Sequence, residues 1–484
     1  MTVWVKNVRP WMMETRSGPG WIEGLLSFVV CCLVALFIAS GSLVVAAGGV
    51  AAVALLVVLL YRMHWLPMAW IVGTPTLFIF ANNVLHPILS LLTVERVLFA
   101  LLAALLAVRV LFRKAALLPL FAIEKWMAAF LGVVVLSLLS TASETSSAEM
   151  YRSAVLLIQG FLMPFAAFVL VRTAPWRPEH VVHLLRLLSV AGVYLAVAGA
   201  LQYFLKITIL MPTYVPLDKM ERASGTFASP VEYGAVMLLL CLVTLFQYAR
   251  MKDAFARAFM LAAAALILGA VALSKTRAVW LGGTLAFVFL YKDDRRVRPV
   301  LIAGGVLAVM FVIYAELSAG RVDEVQPIFN RIALYATAAN VFIHNPFVGV
   351  GFGADSFVQN RAAYFTSFGP VTAQWAADVG PPHNELLNIL VMSGLAGAIP
   401  YLLVWLAALK LTRRSTVSGS EARSFGNELA VYVKAAAVVV LVNALFADVI
   451  FFTYLLTLFF FLLGVLVVCR GRGDAVGLAT AGRG

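Results

Sequence analysis

The sequence predicts an all-α polytopic membrane protein with about 14 transmembrane helices. Of its 484 residues, 63% are hydrophobic and only 12% are charged, whereas soluble proteins are about half apolar and a quarter charged. The mean hydropathy is +0.98. No polar stretch is long enough to fold as a separate soluble domain, so residues 1–484 are predicted to form a single integral membrane domain.

Apolar runs close to the length that a bilayer requires, about 20 residues, predict the individual spans. Pro75 interrupts the third run, and the tenth run is short. The first run starts after Trp21 and has no small-residue cleavage site before the next span, so we expect it to be retained and not cleaved as a signal peptide. The predicted spans are 24–40, 43–61, 66–82, 94–112, 123–140, 151–172, 182–205, 231–249, 257–274, 278–291, 299–317, 385–409, 429–447 and 450–469.

Basic residues predict the orientation. The formal net charge of +13 comes from 36 Lys and Arg against 23 Asp and Glu. We do not read this excess as a nucleic-acid site, because the basic residues fall in alternate connections between spans. Cytoplasmic loops collect Lys and Arg, so these connections and both termini are predicted to be cytoplasmic, and part of the excess would attract anionic membrane lipid. They include Arg113, Lys114, Arg172, Arg177, Lys252, Arg257, Arg413, Arg414, Arg470 and Arg472.

The longest outer connection, residues 318–384, lies between the eleventh and twelfth spans and is far longer than most loops. Its aromatic residues predict a substructure lying at the membrane interface. Within it, Asn330–Pro346 is predicted to be a helix that the proline ends. The tail 471–484, rich in Gly and Ala, is predicted to be disordered. Cys31, Cys32, Cys241 and Cys469 lack disulfide or metal-ligand spacing and are predicted to be packing residues.

Two arginines stand out on the predicted outer face. Arg222 lies in the segment 221–234, which enters the eighth span, and Arg277 lies in the tight turn 274–283. A guanidinium group can bind phosphate with a bidentate fork. The pair could therefore clamp a pyrophosphate and stabilise it as a leaving group. Alternatively, either arginine could extend to lipid headgroups or pair with a carboxylate.

The third outer segment, 381–390, contains a histidine at the start of the twelfth span. A neutral imidazole at His383 could accept a proton from an attacking hydroxyl, although a hydrogen-bonded residue at a helix start is the alternative. Asn384 can cap the helix, and Glu385 suits its first turn. The six histidines are scattered and form no metal-ligand cluster, so no metal and no cofactor are predicted.

Two glycine-rich segments have structural interpretations. Gly349–Gly353 follows Pro346 and not a strand, so it is predicted to be a tight turn and not a dinucleotide-binding motif. Gly394 and Gly397 have the spacing of small residues that allows close helix packing.

Taken in order, these motifs resemble those of the O-antigen ligase/polymerase superfamily of bacterial envelope enzymes. The family pattern R-x-S-G-T-F corresponds to Arg222–Phe227, and S-x-x-R-x-x-W to Ser274–Trp280. N-P-x-x-G-V-G corresponds to Asn345–Gly351, H-N-x-x-L to His383–Leu387, and G-x-x-G to Gly394–Gly397. The resemblance covers residues from roughly 150 to 470. Each motif alone is weak, and the ordered set is specific for the superfamily but not for a subfamily.

The resemblance implies a glycosyltransferase with a GT-C-like fold in the bacterial inner membrane, with its active site facing the periplasm. Such enzymes transfer a glycan from undecaprenyl diphosphate to an acceptor hydroxyl without a metal or nucleotide sugar. Arg222 and Arg277 would hold the diphosphate, and His383 would serve the acceptor hydroxyl. Further substrate-binding candidates are Lys275, Arg331, Glu232 and Asn384. Lys275 departs from the smaller polar residue expected beside Arg277, and it could add a phosphate contact.

Three functions remain open. A polysaccharide polymerase, acting on lipid-linked repeat units, is favoured because residues 222–234 resemble exopolysaccharide polymerases. An O-antigen ligase, with lipid A-core as acceptor, is the second. A transporter is the third, and it should have broken helices and polar groups at mid-membrane. In this sequence, by contrast, the notable charges lie at the predicted outer ends of the spans. The pairs Glu95–Arg96 and Glu124–Lys125 also lie near helix ends and not at mid-membrane.

Overall fold

The computed structural model describes nine segments of the chain: 65–84, 94–111, 120–141, 146–174, 176–207, 221–291, 326–365, 380–413 and 421–481. The chain divides into two compact units, Met1–Leu66 and Pro67–Gly484, and nearly all described residues belong to the second. All regular secondary structure in these segments is helical. The predicted spans 24–40, 43–61 and 299–317 lie outside them.

The helices are numbered in chain order among the described residues. They are α1 (Trp65–Val84), α2 (Val94–Leu111), α3 (Ala122–Thr141), α4 (Ser147–Thr173), α5 (Pro178–Leu205), α6 (Pro230–Arg250), α7 (Ala254–Leu273), α8 (Arg277–Leu290), α9 (Gln326–His344), α10 (Ser356–Asn360), α11 (Glu385–Leu411), α12 (Glu421–Ala444) and α13 (Thr453–Ala481). A 3-10 turn, Val449–Phe451, joins α12 to α13.

Every predicted span that falls on described residues is helical. Eight of these helices are long and apolar enough to cross a membrane, whereas α8 is a shorter apolar helix of 14 residues. The total of about 14 spans stays a prediction. Helix α1 continues through Pro75, and α13 extends to Ala481, so it does not end at the predicted tail boundary of Gly471.

Helices α6 and α13 form the centre of the bundle. In their apolar segments 83% and 78% of residues are buried, against 33% in α3 and 28% in α7. Helices α3 and α7 therefore lie at the periphery of the described bundle. Cys241 is a buried thiol in α6, as the packing interpretation predicts, and neither Cys241 nor Cys469 forms a disulfide within the described segments.

Basic residues gather at one end of the bundle, where α4, α6 and α11 end and α3 and α12 begin. Arg172 forms an ion pair with Glu124, the atoms Nη2 and Oε1 lying 3.0 Å apart. Glu124 is thus paired with a residue of α4 and not with Lys125. Arg250 pairs with Glu428, and Arg470 donates to the carbonyl of Leu411. The predicted alternation of basic connections agrees with this grouping, and the membrane side they face stays a prediction.

Helix α4 contains one irregular turn. Residues Ile158–Leu162 are π-helical, and Gly160 lies in this turn. A Cβ atom added to Gly160 would be 2.8 Å from the carbonyl oxygen of Ile450. Glycine at this position therefore lets α4 approach the backbone of the 3-10 turn closely.

Helix α11 is broken at Gly394, where φ is 55° and ψ is −156°. The backbone of the loop after α9 fills the break. Leu395 N donates to Pro346 O at 2.8 Å, and Ala396 N donates to Phe347 O at 2.9 Å. Gly394 is therefore required by backbone conformation and by contact with a loop, and not by packing against a second helix as the sequence suggests.

Helix α9 confirms the predicted helix that Pro346 ends. After it, Gly349 (φ 68°) and Gly351 (φ 103°) turn the chain, which confirms the tight-turn interpretation. Apolar residues pack α9 and α10 against the first half of α11, in a cluster of Leu334, Ala338, Val341, Phe357 and Val391.

Candidate functional site

Arg222 lies beside Arg277 at the end of the bundle opposite the basic connections. Its Nε donates to the carbonyl of Ser274 at 3.0 Å, and its Nη2 donates to Thr276 Oγ1 at 2.6 Å. Arg277 is the first residue of α8. Both arginines keep part of their surface exposed to solvent. Partial burial and the positive charge of Arg277 lower the pKa of Arg222. Two close guanidinium groups at a helix N-terminus favour an anion.

A buried glutamine fixes the turn that presents Arg222. Gln202 Oε1 accepts from the backbone nitrogens of Ser224 at 2.9 Å and Gly225 at 2.7 Å. Gly225 has φ 56°, and a Cβ atom there would be 2.7 Å from the ring of Tyr233. Ser224 and Gly225, the S-G pair of the R-x-S-G-T-F motif, thus have a structural role in this turn.

Two of the predicted substrate-binding residues have other contacts. Lys275 (φ 45°) is next to the arginine pair in sequence, but its Nζ lies 5.2 Å from the ring centroid of Tyr203. Glu232 is buried in α6, and its Oε1 accepts from Tyr454 N at 3.2 Å. A carboxylate is stabilised at a helix N-terminus, so Glu232 caps α13 and does not contact either arginine among the described interactions.

His383 lies against an aspartate that the sequence analysis did not single out. Its backbone nitrogen donates to Asp448 Oδ2 at 2.9 Å, and its Nδ1 is 3.6 Å from the same oxygen. His383 has φ 53°, a conformation that non-glycine residues rarely adopt and that often marks functional sites. The Asp448 side chain is only 3% exposed, and burial raises its pKa to about 7.

Arg331 and Tyr335, one turn apart on α9, lie near this group, Arg331 acting on His383 and Tyr335 on Asn384. Burial and the positive charge of Arg331 lower the pKa of His383, which favours the neutral form of the imidazole. A neutral imidazole can accept a proton. Tyr335 Oη donates to Leu445 O at 3.4 Å, and Asn384 Nδ2 donates to the same carbonyl at 3.1 Å. The structure thus brings His383, Asn384 and Arg331 together.

Asn384 and Glu385 have the structural roles that their positions predict at a helix start. Asn384 Oδ1 accepts from Leu387 N at 3.0 Å and so caps α11. Glu385 is buried, accepting from Tyr401 Oη at 2.9 Å and from Ile450 N at 3.0 Å. Glu385 therefore ties α11 to the 3-10 turn that follows Asp448.

The structure forms two groups of candidate residues, one around Arg222 and Arg277 and one around His383. The segment from Asp448 to Tyr454 joins them, because Asp448 contacts His383 while the ring of Tyr454 lies 5.8 Å from that of Phe227. Six residues span at most about 22 Å, and the 3-10 turn between them shortens this distance. Both groups therefore lie on the same end of the bundle.

No group of three or more His, Cys, Asp or Glu side chains in the described segments could hold a metal ion. The cations in the site are arginines. An arginine can stabilise negative charge on a phosphoryl leaving group.

Comparison with known families identifies the central part of the chain. Residues 232–402 match the O-antigen ligase family, Wzy_C. The match includes Arg277, Arg331 and His383, whereas Arg222 and Asp448 lie outside it. No curated protein is significantly similar to the chain. This match covers 171 of the 484 residues, and it supports a relationship between the chain and the O-antigen ligase-like superfamily.

Proposed function

We propose that this protein is a glycosyltransferase of the bacterial inner membrane whose site faces the periplasm. It transfers a glycan from undecaprenyl diphosphate to an acceptor sugar hydroxyl. The observation that carries this proposal is the placement of an arginine pair and a histidine–aspartate pair on one end of the bundle, opposite the basic end. The positive-inside rule assigns basic ends to the cytoplasm, and this rule supports the proposed periplasmic orientation of the site. Cytoplasmic termini, as predicted from the sequence, are part of the proposal.

The arginine pair serves the leaving group. As the bond between the glycan C1 and the diphosphate oxygen breaks, its electron pair stays on the diphosphate, and Arg222 and Arg277 stabilise that negative charge. Neither arginine needs a metal for this role, and we propose metal-independent transfer with no cofactor.

The histidine serves the acceptor. The acceptor oxygen forms a bond to C1, and its proton passes to His383. Because Nδ1 faces Asp448 at 3.6 Å, Nε2 is the nitrogen directed away from the carboxylate and available to the hydroxyl. Asp448 then stabilises the imidazolium, and Arg331, which favours the neutral form of the free imidazole, is a positioning residue for this step.

Among transferases we favour a polymerase whose acceptor is a second lipid-linked repeat unit of an exopolysaccharide or O-antigen. A ligase that uses lipid A-core has the same chemistry at the same residues. A deletion strain separates the two functions. Loss of a polymerase leaves single repeat units, whereas loss of a ligase leaves full-length lipid-linked polymer and unattached lipopolysaccharide core.

Substitution of the candidate residues tests the site. Arg222→Ala, Arg277→Ala and His383→Ala are each expected to remove the glycan ladder from a gel. Loss of one donor that stabilises the leaving group costs about 100- to 1,000-fold in rate, and loss of a general base costs about 100- to 10,000-fold. Arg277→Lys keeps the charge but loses the bidentate fork, so a partial loss is expected. Arg257→Ala, at the opposite end of the bundle, is the matched control. Variants that accumulate in the membrane with an unchanged ladder would contradict the assignment.

One observation favours the transporter alternative. Helix α11 is discontinuous, as helices at transport sites often are. However, the amides of Leu395 and Ala396 at the break already donate to loop carbonyls, so the half-helix does not present them to a substrate. Flux into proteoliposomes without any glycan product would support transport over transfer.

A further inference from the structure

A cavity of about 680 Å³ lies away from both groups of candidate residues. It is bounded by the Thr141 end of α3, by the loop that fills the break in α11, and by the residues after α10. The polar side chains that line it are Ser137, Ser140, Thr141, Asn345, Asn360 and Tyr364. Among its described lining residues none is charged, so nothing there compensates the charge of a phosphate or carboxylate.

Apolar side chains also line the cavity, and some of them are exposed at the surface. Val133, Leu136, Val348 and Val350 contribute to this lining. Leu136 is 69% exposed and Val348 is 66% exposed. The cavity therefore combines exposed apolar side chains with polar groups.

Hydrogen bonds fix the polar side chains in place. Asn345 Nδ2 donates to Tyr364 Oη at 3.3 Å, and Asn360 Nδ2 donates to Ser356 O at 2.9 Å. Within the described part of the chain, these bonds leave the amide oxygens of Asn345 and Asn360 and the hydroxyl proton of Tyr364 for a ligand. The cavity thus offers fixed acceptors and a donor together with apolar side chains.

A neutral sugar matches this lining. Its ring presents C–H groups on its faces and hydroxyl groups at its edge, so one side can pack on valine and leucine while the other forms hydrogen bonds. We propose that the cavity binds an uncharged sugar residue of the glycan that the enzyme handles. The inference rests on the proposed transferase function, and it adds a glycan subsite separate from the arginine and histidine groups.

The subsite is too distant to hold the reacting sugar. Helix α9 connects the two places, since Arg331 lies near its start beside His383 and Asn345 follows its last residue. Fourteen residues of helix span about 21 Å. A sugar in the cavity is therefore several residues along the glycan from the reacting hydroxyl, and an oligosaccharide occupies both places at once.

The test uses the full chain in lipid nanodiscs and an uncharged oligosaccharide released from its lipid. Ser140→Trp fills the cavity, and Tyr364→Phe removes one hydroxyl while keeping the ring. Leu139→Trp is the matched control, because Leu139 is 64% exposed on the same helix and does not line the cavity. Calorimetry should show binding weakened by about tenfold in both cavity variants, through lost hydrogen bonds and lost space, and unchanged in Leu139→Trp.

Kinetics with the same variants show whose glycan occupies the subsite. A rise in KM for the acceptor alone assigns the cavity to the acceptor glycan, and a rise in KM for the donor alone assigns it to the donor glycan. Equal oligosaccharide binding by the wild type and Ser140→Trp, with both KM values unchanged, would overturn the proposal. So would displacement of the oligosaccharide by isoprenoid alcohol without sugar, which would show a lipid groove.

Failure of the subsite and failure of the proposed function have different signatures. A wild-type protein that transfers no glycan but binds the oligosaccharide in a Ser140-dependent manner contradicts the transferase function alone. A protein that transfers glycan, with unchanged binding in Ser140→Trp, contradicts the subsite alone.

Discussion

Replacing Gly394 with alanine tests whether the loop Pro346–Val350 holds the two halves of α11 together. The φ and ψ of Gly394, 55° and −156°, are rarely adopted by other residues. A Cβ atom there would lie 2.5 Å from the carbonyl carbon and oxygen of Phe347 and 2.6 Å from Val348 N. These are all backbone atoms, so the loop itself must move.

The expected cost has two parts. Backbone strain at such a position costs about 1–3 kcal/mol. Displacing the loop also breaks three hydrogen bonds, namely Leu395 N to Pro346 O, Ala396 N to Phe347 O, and Val350 N to Val391 O, at about 0.5–1.5 kcal/mol each. We therefore expect the free energy of unfolding of Gly394→Ala to fall by about 3–7 kcal/mol.

The assay is reversible unfolding of the full chain in mixed micelles, followed by tryptophan fluorescence. Gly269→Ala in α7 is the control, because nothing lies within 4 Å of a Cβ atom added there. It should leave the unfolding free energy unchanged or raise it by about 0.5–1 kcal/mol, as alanine favours helix.

A Gly394→Ala protein as stable as the control would refute the reasoning. A double variant gives a second check. Because the contact with Phe347 involves its backbone, adding Phe347→Ala should not restore stability, and restoration would show that side-chain packing limits the site instead.

Three further predictions concern charged groups. Arg331→Gln removes a positive charge that lowers the pKa of His383, so that pKa rises and the acid limb of the activity–pH profile moves to higher pH; an unmoved limb would contradict the role of Arg331. Asp448→Asn should lower kcat by more than tenfold with little change in donor KM, measured by transfer kinetics, because the carboxylate that stabilises the imidazolium is lost; equal activity would exclude Asp448 from the step. Glu124→Ala should cost about 3–5 kcal/mol of unfolding free energy in the micelle assay, since it leaves Arg172 buried without its carboxylate, and the double variant with Arg172→Met should recover part of that loss.

The helices were predictable from sequence because a membrane span leaves a long apolar run. The runs at 123–140 and 231–249 correspond to α3 and α6 within a turn at each end. The helix that ends before Pro346 was also predictable, because proline cannot continue it.

The partners within the site were not predictable in the same way. Asp448 is 65 residues from His383 in the chain, and no local pattern links them. The one available signal was an acid isolated in the apolar stretch 445–452. Gly394 was misinterpreted because G-x-x-G is also the spacing of close helix packing, and only the backbone torsions distinguish the two causes. From the sequence alone, Glu232 resembled a binding residue. The helix that it caps begins 221 residues later, so no local pattern indicated its capping role.

The π turn in α4 changes the phase of that helix. One extra residue in a turn rotates everything after it by about 100°. The half before the turn directs Arg152 toward Asp355, while the half after it presents Val171 to Gly464 of α13. One half of α4 thus contacts Asp355, just before α10, and the other half contacts α13. Removing one residue between Ile158 and Leu162 would realign the halves, so the length of this stretch, and not only its composition, encodes the architecture.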